Sequence, residues 1–278
     1  MGPLEQMVLG WECGRAALRT LGWRAVWALW VPLVLWRLAM LGAMTRVAHP
    51  RVSRWSLPLA VAIGGPGAAH YPGLFRVLPR IHAHLDAVTL ALAGVWVAGA
   101  ASVVVASRSG GAPRGAGLAA LTALGRLPTL LLTELPWLLI LWGLTDGLGL
   151  WVAMRGSSAL VIKLLTLIAA VVLVLVRGYF AWLPPLVAAG ACGLRDVPQE
   201  LSALTSRGYL TALTITVFAA LPSLPLWVLL RAPDHWVDGG HPEWVALLAG
   251  AQIGVTWLAS LLATSALTLA WQAYREEP

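Results

Sequence analysis

The feature that most constrains this chain is a series of apolar runs long enough to cross a lipid bilayer, a distance that takes about 20 residues of helix. Six such runs stand out, at approximately 23–44, 86–106, 127–148, 158–182, 208–230 and 244–272. In lipid, backbone N–H and C=O groups must be satisfied within a helix or a closed barrel, and runs of this length read as helices. The expected fold class is therefore all-α: a polytopic membrane helix bundle with six transmembrane helices, forming a single integral membrane domain over 1–278. A further apolar stretch, 57–69, is short and broken by Gly64, Gly65, Pro66 and Gly67, and reads as an interfacial segment.

Composition points the same way. Hydrophobic residues make up 59% of the chain and charged residues 11%, with a mean hydropathy of +0.78. A soluble domain carries about 25% charged residues. A surface so poor in charge is solvated by lipid, which excludes a soluble enzyme built around one aqueous core. The net charge of +7 comes from eighteen arginines and one lysine against twelve acids, and the chain has no asparagine, biases that suggest a high-GC bacterial genome. Arginines flanking spans suit anionic headgroups. No basic stripe with interleaved aromatics speaks for nucleic acid as a partner. Cys13 and Cys192 lie far apart without CxxC spacing and form no metal site or disulfide framework on their own. Glu5 and Glu12 precede a first run long enough to span, which reads as an uncleaved first helix.

Before each odd-numbered run stands a similar short stretch: AALRTLGW at 16–23, AALTALGR at 119–126 and SALTSRGY at 202–209. All three fit Ala-Leu-x-x-x-Gly, ending at Gly22, Gly125 and Gly208. The pattern suggests three repeats, each an interfacial helix plus a two-span hairpin, over about 8–106, 113–182 and 195–272. A short helix would lie in the headgroup plane, and glycine would permit the turn into the membrane. With the repeats inside, nine arginines (15, 19, 24, 108, 114, 126, 195, 207 and 275) face eight basic residues outside, a weak asymmetry. The expected setting is a bacterial cytoplasmic (inner) membrane with both termini cytoplasmic.

The segment from Arg177 to Leu210 combines an arginine-aromatic patch, a proline, a glycine turn and an amphipathic helix, through Arg177, Phe180, Pro184, Gly190, Ala203, Leu204, Ser206 and Gly208. In this it resembles the bacterial six-helix proteins related to the glycerophosphoryl diester phosphodiesterase membrane domain. It departs from them in carrying Ala188 and Ala189 where an acidic residue precedes the turn. The resemblance covers about a third of the chain closely. It implies a helical membrane bundle of mostly unassigned role, without an active site.

Charges within apolar runs are costly and call for partners. Glu134 and Arg177 fall at similar depth in the third and fourth runs and are expected to approach each other. Asp146 and Lys163 flank the connection between the same runs and form a second candidate pair. Arg37, beside Trp36 in the first run, has no evident mate; snorkelling, a lipid phosphate or a partner's acid are the alternatives. The histidines cluster in the first and third outer segments. His82, His84 and Asp86, with His235 and His241, supply ligand types for a transition metal, but no HExxH or other site spacing is present. The bland reading is that these are loop residues kept out of the spans, and no metal, cofactor or catalytic residue is expected. Trp23, Trp27 and Trp30 share a helical face, and Gly250 and Gly254 form a GxxxG pair; both are candidate interfaces, within the molecule or with another.

These features favour a non-enzymatic membrane subunit or scaffold that binds other membrane proteins or lipid. The alternatives are a permease or exporter component working with a separate ATPase, and a metal-dependent lipid-modifying enzyme. Prolines within the runs suit the former, while the latter needs the outer histidines to converge.

Overall fold

The computed structural model describes residues 1–46, 50–148, 151, 154 and 159–276. They are 88% helical and include no strand. In chain order the helices are α1 (Pro3–Ala17), α2 (Arg24–Thr45), α3 (Pro50–Gly64), α4 (Gly73–Thr89), α5 (Val95–Ser109) and α6 (Ala116–Gly125). There follow α7 (Leu127–Trp142), α8 (Ala159–Phe180), α9 (Val197–Ala220), α10 (Leu224–Leu230), α11 (Pro233–Asp238) and α12 (Glu243–Glu276).

Six helical stretches are long and apolar enough to cross a membrane: Arg24–Thr45, Gly73–Ser109, Leu127–Thr145, Leu160–Ala189, Val197–Leu230 and Glu243–Glu276. Two begin well before the apolar runs that marked them. The second starts at Gly73 rather than 86, because α4 is amphipathic and runs on through a π turn, Leu90–Gly94, into α5. Its buried face is Leu74, Phe75, Leu78 and Ile81, at helical spacing, with His82 half-buried at the edge of that face and His84 off it. The fifth starts at Val197, because the helix before Gly208 continues through a kink at that residue. Pro32 and Pro136 sit inside α2 and α7, a placement that membrane helices tolerate when the freed carbonyls find other donors.

The chain divides into two compact units. The first comprises Met1–Leu29, Val95–Ala219 and Leu261–Pro278, and the second Trp30–Gly94 and Ala220–Ser260. The divisions fall within the long helical stretches.

In the first unit, the chain after α8 turns through Ala181–Leu183 and a π turn, Pro185–Ala189, and most of this segment is buried. Trp182, Leu183, Leu186 and Val187 form its core with Ala212 and Ile215 of α9, Leu267, Ala270, Trp271 and Tyr274 of α12, and Cys13 and Ala17 of α1. Hydrogen bonds lock α1 to α9 beside this core: Thr211 Oγ1 donates to Gln6 O at 2.8 Å and accepts from Tyr274 Oη at 2.9 Å, and Leu210 N donates to Gln6 Oε1 at 3.2 Å. Gly10 of α1 lets this approach happen, because a Cβ there would meet Thr211 O at 3.0 Å.

The three glycines of the repeated motif do not share a role. Each ends or bends a helix: Gly22 closes a 3-10 turn before α2, Gly125 ends α6, and Gly208 kinks α9 with φ −133° and ψ 20°. None requires the left-handed region reserved for glycine. Gly22 and Gly125 have open space where a Cβ would go, whereas at Gly208 a Cβ would stand 2.8 Å from the Tyr274 ring and 3.1 Å from Trp182. Only Gly208 is thus sterically required, and the expected conformational role of glycine in the turn does not apply at the other two.

In the second unit, α4 packs on α3 and the turn Pro66–Ala69, with Ala60, Ala68, Leu74, Leu78 and Ile81 buried together with Val237 of α11 and Val245, Ala249 and Ile253 of α12. The segment 57–69 is therefore a helix and turn packed on α4. Exposed ion pairs join α4 to α11, where Arg76 donates to Asp238 at 2.6 Å and to Asp234 at 3.4 Å. Exposed pairs of this kind contribute about 0–1 kcal/mol.

The two cysteines offer a check on the first unit. Burial, reinforced by the neighbouring Glu12, pushes the Cys13 thiol up to about 11. Cys192, less buried, is also raised, chiefly by desolvation and then by Asp196 and Glu200. A raised pKa lowers the thiolate fraction, and only the thiolate attacks a maleimide. Cys192 is expected to label faster than Cys13 at pH 8 in folded protein, and Cys13 to catch up only in denaturant or at pH above 10. Single-cysteine variants followed by mass spectrometry measure both rates.

Candidate functional site

The two charged groups deepest in the apolar runs find partners inside the protein. In the first unit, Glu134 of α7 is 2% exposed and accepts from Arg177 of α8, whose Nη1 lies 3.0 Å from Oε2 and 3.4 Å from Oε1. The Arg177 guanidinium also stands 5.4 Å from the centroid of the Trp137 ring, one turn along α7 from Glu134. An arginine held over an aromatic face and against a carboxylate loses little of the electrostatic favour it had in water. The structure thus brings Glu134 and Arg177 together.

The second pair was not foreseen in sequence. Arg37 of α2 is 4% exposed and grips Asp86 of α4 with both arms: Nε lies 2.5 Å from Oδ1 and Nη2 2.7 Å from Oδ2. Nη2 also reaches Thr256 Oγ1 of α12 at 3.3 Å, and that hydroxyl donates onward to Gln252 O at 2.7 Å. Such a planar two-point contact is the strong geometry for arginine and carboxylate. Arg37 therefore neither snorkels nor awaits a lipid phosphate or another protein's acid; its partner lies 49 residues along the same chain.

This arrangement changes the reading of the proposed metal ligands. Asp86 is committed to Arg37, and His82 sits one turn before it on α4. His84 Nδ1 lies 2.7 Å from Arg80 O, and the His235 ring packs edge-on to Trp236 at 5.4 Å. His241 follows α11, and its backbone N–H donates to Trp236 O. Among the described residues, no three histidine, cysteine, aspartate or glutamate side chains are grouped so as to hold a metal ion. His49 and the side chains of Asp146 and Lys163 lie outside the described residues.

The suggested interface residues make several contacts within the chain. Trp23 lies under the Arg108 guanidinium at 4.8 Å, and Trp27 Nε1 donates to Leu21 O at 2.5 Å. Trp30 is 3% exposed, which removes it from any docking surface. Gly250 faces Leu38 and Leu41 of α2 at ordinary contact distance, and a Cβ at Gly254 would meet nothing within 4 Å. The GxxxG pair therefore mediates no close helix crossing among the described residues.

Of the residues carrying the family resemblance, Pro184 and Gly208 are buried in the first unit, while Ala203 and Ser206 are exposed. A Cβ on Gly190 would stand 2.5 Å from Leu186 O and 2.9 Å from the Trp271 ring, and Gly208 is held against Tyr274. These two glycines let the turn after α8 and the kink of α9 approach α12. Compared with family models, curated proteins and solved structures, the chain matches none.

Proposed function

We propose that this protein is a non-enzymatic integral membrane subunit, a helical scaffold that docks against other membrane proteins or lipid through the face of α7 and α8. One observation carries the reading: only 6% of the most apolar window of the fourth span is buried inside the protein, the least of the six, and 11% of that of the third, as of the fifth. Leu164, Leu167, Ile168 and Val171 of α8 and Leu132, Leu135 and Leu139 of α7 are all exposed. The Glu134–Arg177 pair ties α7 to α8, with the carboxylate buried and the guanidinium partly exposed. The internal pairing of Arg37 and Asp86 also supports a scaffold, since a bidentate, buried contact holds helices together.

The same reading places the chain in a bacterial inner membrane with both termini in the cytoplasm. In support, all nine arginines expected inside belong to the first unit, along with both termini. The repeated Ala-Leu-x-x-x-Gly stretches support a threefold internal repeat, and the Arg177–Leu210 segment supports kinship with the phosphodiesterase-associated membrane domain.

A photo-crosslinking amino acid placed at Leu164, Leu167 or Val171, in cells, tests the docking face. A discrete protein adduct of one mass at these positions, absent from the buried Ala169, is expected. Adducts to lipid alone, from a protein that migrates as a monomer in mild detergent, would overturn the protein-binding reading.

A further inference from the structure

A cavity of about 520 Å³ opens in the first unit, between the end of α5 and the end of α12. Its size is that of a small-molecule or headgroup site. Its lining includes Glu276 and two arginines, Arg114 from the α5–α6 loop and Arg275 from α12. Neither has an acidic partner within ion-pair distance among the described residues.

The loop that brings Arg114 there is built rather than slack. Gly111 takes φ +78°, Ala112 N donates to Ser107 O at 3.1 Å, and Arg114 N donates to Ser107 Oγ at 3.1 Å. Gly111 is one position where the left-handed backbone calls for glycine. Arg275 is steadied from the other side by the Trp271 ring, 5.0 Å from its guanidinium. Ala188 and Ala189, from the π turn before Gly190, keep the floor of the cavity open and apolar. Gln272 donates through Nε2 to Ala106 O at 3.1 Å, and its Oε1 is buried without a hydrogen-bond partner.

We propose that this cavity binds a phosphate-bearing headgroup, with Arg114 and Arg275 holding the phosphate and Gln272 offering an acceptor to a neighbouring hydroxyl or ammonium. Two guanidiniums lining one concave site at the end of two spans match phosphate in charge and in donor chemistry. Basic pockets between transmembrane helices at the membrane surface take lipid headgroups in this way. The apolar floor suits the glycerol backbone of a lipid, while a free phosphate would use the arginines alone. The proposal stands apart from the α7–α8 face and holds whether or not that face docks a protein.

The test uses the delipidated full chain in detergent, titrated calorimetrically with short-chain phosphatidylglycerol and, separately, with inorganic phosphate. Saturable binding of one equivalent is expected, weakened about tenfold or more by Arg114→Gln and by Arg275→Gln, and unchanged by the charge-matched Arg195→Gln. Val103→Trp, which fills the cavity and keeps both arginines, is expected to abolish lipid binding. Phosphate binding as tightly as the lipid would assign the site to a free anion, and much weaker phosphate binding to a headgroup. Absence of saturable binding by either ligand, or equal loss in Arg195→Gln, would overturn the proposal. Thermal unfolding of each variant confirms that it is folded.

Discussion

Replacing Arg37 with leucine will destabilise the protein by about 3–5 kcal/mol, and replacing Asp86 with leucine in the same chain will return most of that loss. The single variant strands a carboxylate that is 17% exposed on its side chain, inside a helix that reads as a span. It must then ionise without a partner or take up a proton, and both cost free energy. The Arg37→Leu/Asp86→Leu double variant buries two apolar side chains instead, and well-packed apolar replacements for buried ion pairs are often neutral. Equilibrium unfolding in mixed micelles of the two single variants and the double variant gives the coupling energy directly. Additive losses with no recovery would show that the pair contributes nothing beyond its two separate environments. Thr256→Val, which removes the long third contact at 3.3 Å, should cost under about 1 kcal/mol, because that bond is the weakest of the set.

Alanine at Gly208 is expected to cost about 1–3 kcal/mol, while alanine at Gly22 or Gly125 should be neutral or slightly stabilising. The new Cβ at 208 would stand 2.8 Å from a Tyr274 ring and 3.1 Å from Trp182, and the Tyr274 hydroxyl is bonded to Thr211 while its ring packs edge-on to Trp182 at 5.9 Å between centroids. That ring has no free direction in which to retreat, so the kink in α9 or the seat of α1 must shift. At Gly22 and Gly125 the added methyl meets nothing within 4 Å, and replacing glycine mainly reduces the freedom of the unfolded chain. Thermal unfolding of the three variants side by side decides the matter. Equal losses at all three positions would mean that the turn itself, rather than the packing around it, demands glycine.

Much of the architecture can be read along the chain because the bilayer imposes a length. A run such as Arg24–Thr45 needs only to be long and apolar to become a span, and both properties are local. The pairing of Glu134 with Arg177 was legible for a related reason: they sit at comparable depth in consecutive spans, so a hairpin carries one towards the other. Arg37 and Asp86 were harder to connect. Asp86 stood at the edge of an apolar run, next to histidines, and looked like a loop residue; α4 in fact extends back to Gly73 through an amphipathic face that hydropathy alone averages away. The useful signal was the cost of Arg37 itself, a charge deep in a span that had to find an acid somewhere in the chain.

The sequence by itself therefore determined that this is a helical membrane protein, where its apolar runs lie, and that the charges within them need partners. Those follow from hydropathy, chain length and the price of an unpaired charge in lipid. Only the tertiary structure decided that Asp86 answers Arg37, that Trp30 faces inward, and that of three glycines in matching motifs one alone is clamped by a ring. Each of these depends on how far a helix is rotated about its axis and slid against its neighbours. That register is set by contacts between residues tens to hundreds of positions apart, which no local pattern encodes.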